Sequence, residues 1–159
     1  MTSVFSTNPP KFSIQDIVKY LLINFKLSGK VTNLYSDRDQ NFLIQSESNQ
    51  KFILKISNLA EQPEILELQN KATLYIRSRE PNLGIPLQIG EIKEFNKDGK
   101  TYLVRLVEYL DGQFLKDSLG GNDAHEKLGI FLGTLSHSLA VFFIQPQIGN
   151  LSGMSEPQN

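Results

Sequence analysis

Lys55 is the single charge in the apolar run Phe52-Ile53-Leu54-Lys55-Ile56, and Glu67 follows it in a helical segment, Glu67-Leu68-Gln69. Ahead of both lies a polar loop, Ser36-Asp37-Arg38-Asp39-Gln40-Asn41, which leads into the strand Phe42-Leu43-Ile44-Gln45. A strand ammonium can hold a phosphate, a helix carboxylate can hold that ammonium, and a loop can cover the anion with backbone N–H groups. Loop, hairpin, strand lysine and helix glutamate are the order in which phosphoryl-transfer sites grip a nucleotide. No His-x-Asp catalytic loop and no metal-binding Asp motif occurs up to Asn159. No catalytic residue and no metal ligand is therefore assigned.

Each of these residues has a plainer reading. Lys55 alone could be a solvated strand lysine. Glu67 has Lys71 as an i+4 neighbour, a surface ion pair worth about 0.3–0.5 kcal/mol. Arg105 sits within an apolar strand run and needs a carboxylate or carbonyl partner if buried, which favours a structural role. His125 and His137 have no cysteine and no acidic residue at ligand spacing around them, so exposed helical positions suit them better than metal. Phe131, Phe142 and Phe143 read as helix-face core.

The elements that must position the site can be read from capping and periodicity. Ser13 is an N-cap with Asp16 in the capping-box position. Ile14, Ile17, Val18, Leu21 and Leu22 then repeat as one helical face, and Gly29 ends the element. Val31–Tyr35 reads as a first strand. Phe42–Gln45 and Lys51–Ser57 flank a hairpin turn at 46–50. In the second strand of that hairpin, Phe52, Leu54 and Ile56 share one face and Lys55 points to the other. Pro63 suits a helix first turn, with Ile65, Leu68, Ala72 and Ile76 as the buried stripe. Gln88–Phe95 and Thr101–Leu110 form a second hairpin around Asn96-Lys97-Asp98-Gly99-Lys100. Leu128, Leu132, Leu135, Leu139 and Phe143 mark a last long helix. This order fits an α+β domain, a small antiparallel sheet with packed helices, better than a parallel α/β fold.

Bulk properties narrow the partners. With 159 residues the chain can bury one ordinary core. Hydrophobic residues make up 40% and charged residues 21%, a globular balance that argues against disorder through most of the chain. Sixteen basic and 17 acidic residues give a net charge of -1, which argues against nucleic acid or an anionic membrane as the main partner. No cysteine is present, so disulfides and thiolate metal sites are excluded. Residues 1–13 do not resemble a secretory signal and no apolar run is long enough to span a bilayer. A cytoplasmic protein is the expectation.

Taken together, Tyr35–Phe42, Ile53–Asn58, Glu67–Asn70 and Leu103-Val104-Arg105-Leu106-Val107-Glu108-Tyr109-Leu110-Asp111-Gly112 resemble the aminoglycoside phosphotransferase family of small-molecule kinases, and within it the hydroxylysine kinase-like group. Bacterial proteins with such a lobe are often fused ahead of a class III aminotransferase. The resemblance covers roughly residues 12–143. It implies a protein kinase-like amino-terminal lobe over 12–110. The hinge exit and first helix of a second lobe would occupy 111–144. Residues 145–159, polar and with Pro and Gly, read by composition as a disordered tail.

The resemblance further implies that ATP binds, with Mg²⁺ in the complete enzyme. Lys55 would contact the α- and β-phosphates, Glu67 would pair with Lys55, and the loop Ser36, Asp37, Arg38, Asp39, Gln40, Asn41 would lie over the phosphates. Glu108, Tyr109 and Leu110 would form the hinge that reads the adenine edge. Asp37 and Asp39 would repel phosphate, so they are expected to point outward or to bind the loop's own backbone. The family's catalytic aspartate and metal ligands fall further along than Asn159, so this chain is expected to bind ATP without transferring phosphate. The acceptor, an amino alcohol or amino sugar, would be selected by the second lobe. Self-association is expected through apolar surface near Leu135, Leu139 and Phe142. The alternative is a nucleotide-sensing or protein-interaction module without catalysis.

Overall fold

Ser13 caps the first helix, α1 (Ile14–Phe25), by accepting the Asp16 N–H at 3.1 Å, while the Asp16 carboxylate accepts the Ser13 N–H at 2.9 Å. Two donors that a helix start leaves unpaired are thereby satisfied. This computed structural model describes residues 9–112 and 122–144. The expected tail at 145–159 and the stretch 113–121 lie outside the described residues.

α1 ends at Phe25 rather than at Gly29, with Lys26 in the left-handed region (φ 52°) and its N–H donated back to Leu21. Its buried face is Ile17, Tyr20 and Leu21, and Ile14, Val18 and Leu22 of the expected stripe stay exposed. Tyr20 turns the face inward. Its ring stacks on Phe95 at 4.2 Å and its hydroxyl donates to the Glu94 carbonyl at 3.0 Å, so its apolar body and polar tip are both accommodated.

The strands β1 (Gly29–Leu34), β2 (Gln40–Ser46), β3 (Lys51–Ile56), β4 (Gln88–Lys97) and β5 (Lys100–Glu108) form one antiparallel sheet in the order β1-β2-β3-β5-β4. Gly29 opens β1 because the Gln45 backbone passes against it: a Cβ there would stand 2.1 Å from the Gln45 carbonyl oxygen. β4 and β5 turn at Asp98-Gly99 (φ 52° and 70°), the left-handed pair that a tight hairpin needs. The pairing of β4 with β5 slips between Ile89 and Lys93, where Gly90 has φ 69°.

Alternation divides the sheet into two chemistries. Val31, Phe42, Ile44, Leu54, Ile56, Val104 and Leu106 face α1 and form the buried core with Phe12, Ile17, Tyr20 and Leu21. Their neighbours Asn41, Ile53, Lys55, Arg105 and Val107 therefore belong to the other face. The α+β class, with a five-stranded antiparallel sheet and three helices among the described residues, follows directly.

The second helix, α2 (Pro63–Arg79), lies in sequence between β3 and β4, and the third, α3 (Asn122–Ile144), follows β5. In α2 the buried apolar residues are Leu66, Ala72 and Ile76, and Ile65 and Leu68 are exposed, so the expected stripe holds at Ala72 and Ile76 and is replaced by Leu66 in the first turns. The chain forms two compact units, Met1–Thr73 with Ile85–Gly112, and Leu74–Gly84 with Gln113–Asn159. Within the second unit, Tyr75 meets Phe142 at 5.4 Å between ring centroids. Along α3 the less exposed line runs through Ala124, Leu128, Phe131, Leu135, Ser138 and Phe142, whereas Ile130, Leu132 and Phe143 carry the exposed apolar surface. Leu135, Leu139 and Phe142, where exposed apolar surface was expected, are half-buried, and Ser138 is buried. No helix among the described residues is long and apolar enough to cross a membrane.

Candidate functional site

Because antiparallel partners share a face, the register Asn41↔Lys55↔Arg105 lays three polar side chains in a row across β2, β3 and β5, on the side away from α1. Two adjoining cavities open over that row. The outer cleft, about 350 Å³, is lined by Leu34 at the end of β1, Ile53 and Lys55 of β3, Val107 of β5, and the segment Glu108–Leu110 that leaves the sheet. Its size is that of an ordinary small-molecule site. The inner cavity, about 190 Å³, brings Lys55, Arg105 and Val107 from the sheet together with Gln69, Asn70 and Thr73 from α2 and with Pro86 and Gln88, so polar end groups stand in a largely apolar wall. Lys55 borders both.

The electrostatics are dominated by two neighbouring cations. Burial first, and the Arg105 charge second, push the Lys55 ammonium below the usual lysine range, while Asp39 and Glu61 act to raise it. Burial likewise pushes the Arg105 guanidinium down, against the same two carboxylates. Arg105 is 91% buried by its 9% exposure and donates to the Gln69 side-chain oxygen at 3.1 Å. A carbonyl-type partner was the requirement read from the sequence, and an amide supplies it.

Glu67 does not join this group. It is exposed on α2, bordering a neighbouring depression with Asn70, Gln88, Gly90 and Glu91, and its charge is not among those acting on Lys55. Three residues before Asn70 and about 60° round the helix from it, Glu67 stands beside the inner cavity without lining it.

The loop residues separate into different roles. Tyr35 donates to the Asp37 carboxylate at 2.5 Å, out in solvent. Asp39 turns inward instead and accepts from the Asn58 N–H at 3.1 Å and its side-chain amide at 3.3 Å, so it braces the end of β3 rather than its own loop. Gln40 bonds the backbone of Phe12, accepting at 2.8 Å and donating at 3.0 Å, and so ties the residues before α1 to the sheet. Ser36 is half-buried, Arg38 is exposed, and Asn41 lines the outer cleft beside Lys55.

At the exit, the Glu108 N–H donates to the Leu87 carbonyl at 2.9 Å and its carboxylate accepts the Leu87 N–H at 3.2 Å. Lys51 pairs with Asp111 at 2.8 Å and stands 4.9 Å over the Tyr109 ring centre. The exit segment is thus held at both ends, by Leu87 at Glu108 and by Lys51 at Tyr109 and Asp111.

The inner cavity was not anticipated from the sequence. Its signal was present as Gln69, Asn70 and Thr73, polar residues at i, i+1 and i+4 on one helix face. Among the described residues, no group of three or more histidine, aspartate or glutamate side chains could hold a metal ion, and His125 and His137 are exposed. Compared with known proteins, the chain matches no family model, no curated protein and no solved structure.

Proposed function

We propose that this chain is the ATP-binding part of a small-molecule kinase of the aminoglycoside phosphotransferase, hydroxylysine kinase-like type. Such a kinase moves phosphate from ATP to a hydroxyl of an amino alcohol or amino sugar. The observation that carries the reading is Lys55 at the floor of a cleft of about 350 Å³ whose far edge is Glu108–Leu110. The sheet order β1-β2-β3-β5-β4, with a helix between β3 and β4, supports a kinase-like lobe. In this reading Leu34, Ile53 and Val107 sandwich the adenine, the backbone of Tyr109 and Leu110 pairs with its edge, and Lys55 takes the phosphates.

The test is titration of the 159-residue chain with a fluorescent ATP analogue. Saturable binding that is lost in Lys55→Ala is expected. No saturation in the wild type, or equal affinity in the variant, would refute the proposal.

A second reading, a nucleotide sensor without turnover, is favoured by one observation. Kinases lock the strand lysine with a helix glutamate, whereas α2 presents Gln69 and Asn70 at the cavity. Both readings expect no phosphoryl transfer by this chain alone, so the two separate only when it is assayed together with a second lobe: a kinase then forms a phosphorylated amino alcohol from ATP, whereas the sensor binds and releases ATP unchanged.

A further inference from the structure

The inner cavity holds a combination that folding alone does not favour. Lys55 and Arg105 face each other directly across adjacent strands, and like charges so placed destabilise a sheet. The cavity lining holds no carboxylate. Asp39 and Glu61 act on both cations only through space.

Unpartnered polar atoms gather at the same place. Four buried side-chain atoms find no hydrogen-bond partner among the described residues: Asn41 Oδ1, Asn70 Oδ1, Gln88 Oε1 and Arg105 Nε. The last three border the inner cavity and the first borders the outer cleft, which shares Lys55 with it. A buried polar atom left unpaired costs about 1–3 kcal/mol, so four around one lysine point to a ligand. The two amides are adaptable as well. A half-turn about the terminal bond exchanges oxygen for NH₂, which gives Asn70 and Gln88 two donors each to offer an anion.

We propose that Lys55 and Arg105 form a two-cation receptor for a phosphate-class oxyanion in the inner cavity, with the Asn70 and Gln88 amides completing its shell. The charge matches. A phosphate monoester carries about −1.5 to −2 at neutral pH, enough to balance both cations, which a single carboxylate does not do. Arginine adds a planar fork suited to two phosphate oxygens. The cavity of about 190 Å³ is a compartment for one such group rather than for a nucleoside. The inference rests on the nucleotide reading only for the source of the anion, which is either a phosphate of the bound nucleotide or a free phosphate compound.

Calorimetric titration of the full chain with pyrophosphate, adenosine and a non-hydrolysable ATP analogue tests this. Pyrophosphate should bind the wild type. Arg105→Met should weaken it at least tenfold with adenosine affinity unchanged, and Arg105→Lys should recover part of the loss. Asn70→Asp installs a carboxylate beside both cations, so it should abolish pyrophosphate binding and raise thermal stability; this isosteric variant carries the test if Arg105→Met does not fold. Loss of the ATP analogue in parallel with pyrophosphate assigns the site to the nucleotide's phosphates. Loss of pyrophosphate alone assigns it to a free phosphate compound. Pyrophosphate binding with neither adenosine nor ATP analogue would support the receptor and overturn the nucleotide reading instead. The receptor is overturned if the wild type does not bind pyrophosphate, or if Arg105→Met and Asn70→Asp both bind it as the wild type does.

Discussion

Replacing Lys55 by methionine should make this protein more stable while abolishing its binding of an ATP analogue. Methionine keeps an unbranched stem that can pack where the lysine methylenes pack. What it removes is an ammonium that burial and Arg105 both disfavour. Directly opposite residues have Cα atoms about 4.5–5.5 Å apart. Two unit charges about 6 Å apart repel by roughly 2.8 kcal/mol at an effective dielectric of about 20. Asp39 and Glu61 attract Lys55 in the native state, and that attraction is lost with the charge, so it offsets most of the repulsion relieved. The net should fall in the range measured for cross-strand pairs, about 0.2–1 kcal/mol. For a chain of this size that is a rise in Tm of up to roughly 2–4 °C.

The sign is the informative part, since a substitution chosen blindly destabilises by about 1 kcal/mol. It also carries a pH signature. A lysine whose folded-state pKa lies below its unfolded value of 10.5 binds fewer protons in the native state. Wild-type stability attributable to this group should therefore rise as pH climbs from the depressed folded pKa toward 10.5. The advantage of Lys55→Met should shrink over that same interval. Urea denaturation followed by circular dichroism at neutral pH and near pH 10, beside titration with the fluorescent analogue, measures all three quantities. A variant less stable than wild type by about 1 kcal/mol would mean that the fold itself relies on the Lys55 charge, and would overturn the prediction.

Other consequences can be checked separately. Asp16 is held down to about 2 by Lys97 and the Ser13 N–H, so its contribution is present above the ordinary value near 3.8 and is lost as pH falls toward 2; Asp16→Asn should flatten acid denaturation over that window. Tyr20, raised to about 12 chiefly by burial, stabilises the fold below its ordinary pKa of 10.0, and that contribution fades as pH rises toward 12. Tyr20→Phe should remove this alkaline dependence in denaturation curves. Gly29→Ala puts a Cβ 2.1 Å from a backbone oxygen and should cost about 1–3 kcal/mol of strain, seen as a lower urea midpoint. Glu67→Gln should leave ATP-analogue affinity within twofold, since Glu67 is exposed and does not act on Lys55; a tenfold loss would restore it to the site.

Much of the scaffold was legible because local chemistry and tertiary context agree there. Ser13 and Asp16 close a capping box wherever they start a helix, and Asp98-Gly99 accepts the left-handed conformations of a tight turn. Alternation in Phe52–Ile56 separates Leu54 from Lys55 without any knowledge of the sheet. Agreement fails at Gly29, which ends α1 by sequence punctuation but opens β1 in the fold. The reason is a contact with Gln45 that no local window contains.

The site was half legible for a related reason. Lys55 could be assigned to a face from its own strand, but its neighbour Arg105 is set by the β3–β5 register, a long-range pairing. The misplaced partner came from α2. Glu67 is paired with Lys55 by the resemblance alone, and the apolar stripe through Ile65, Leu68 and Ala72 does not turn it that way. At the cavity α2 presents Gln69, Asn70 and Thr73 instead. A helix over a binding site should depart from the apolar pattern at the residues that touch the ligand. On α2 the three polar positions Gln69, Asn70 and Thr73 mark where the helix meets the cations, and Asn70, with its oxygen unpartnered, is the position at which a new carboxylate should compete with an incoming anion.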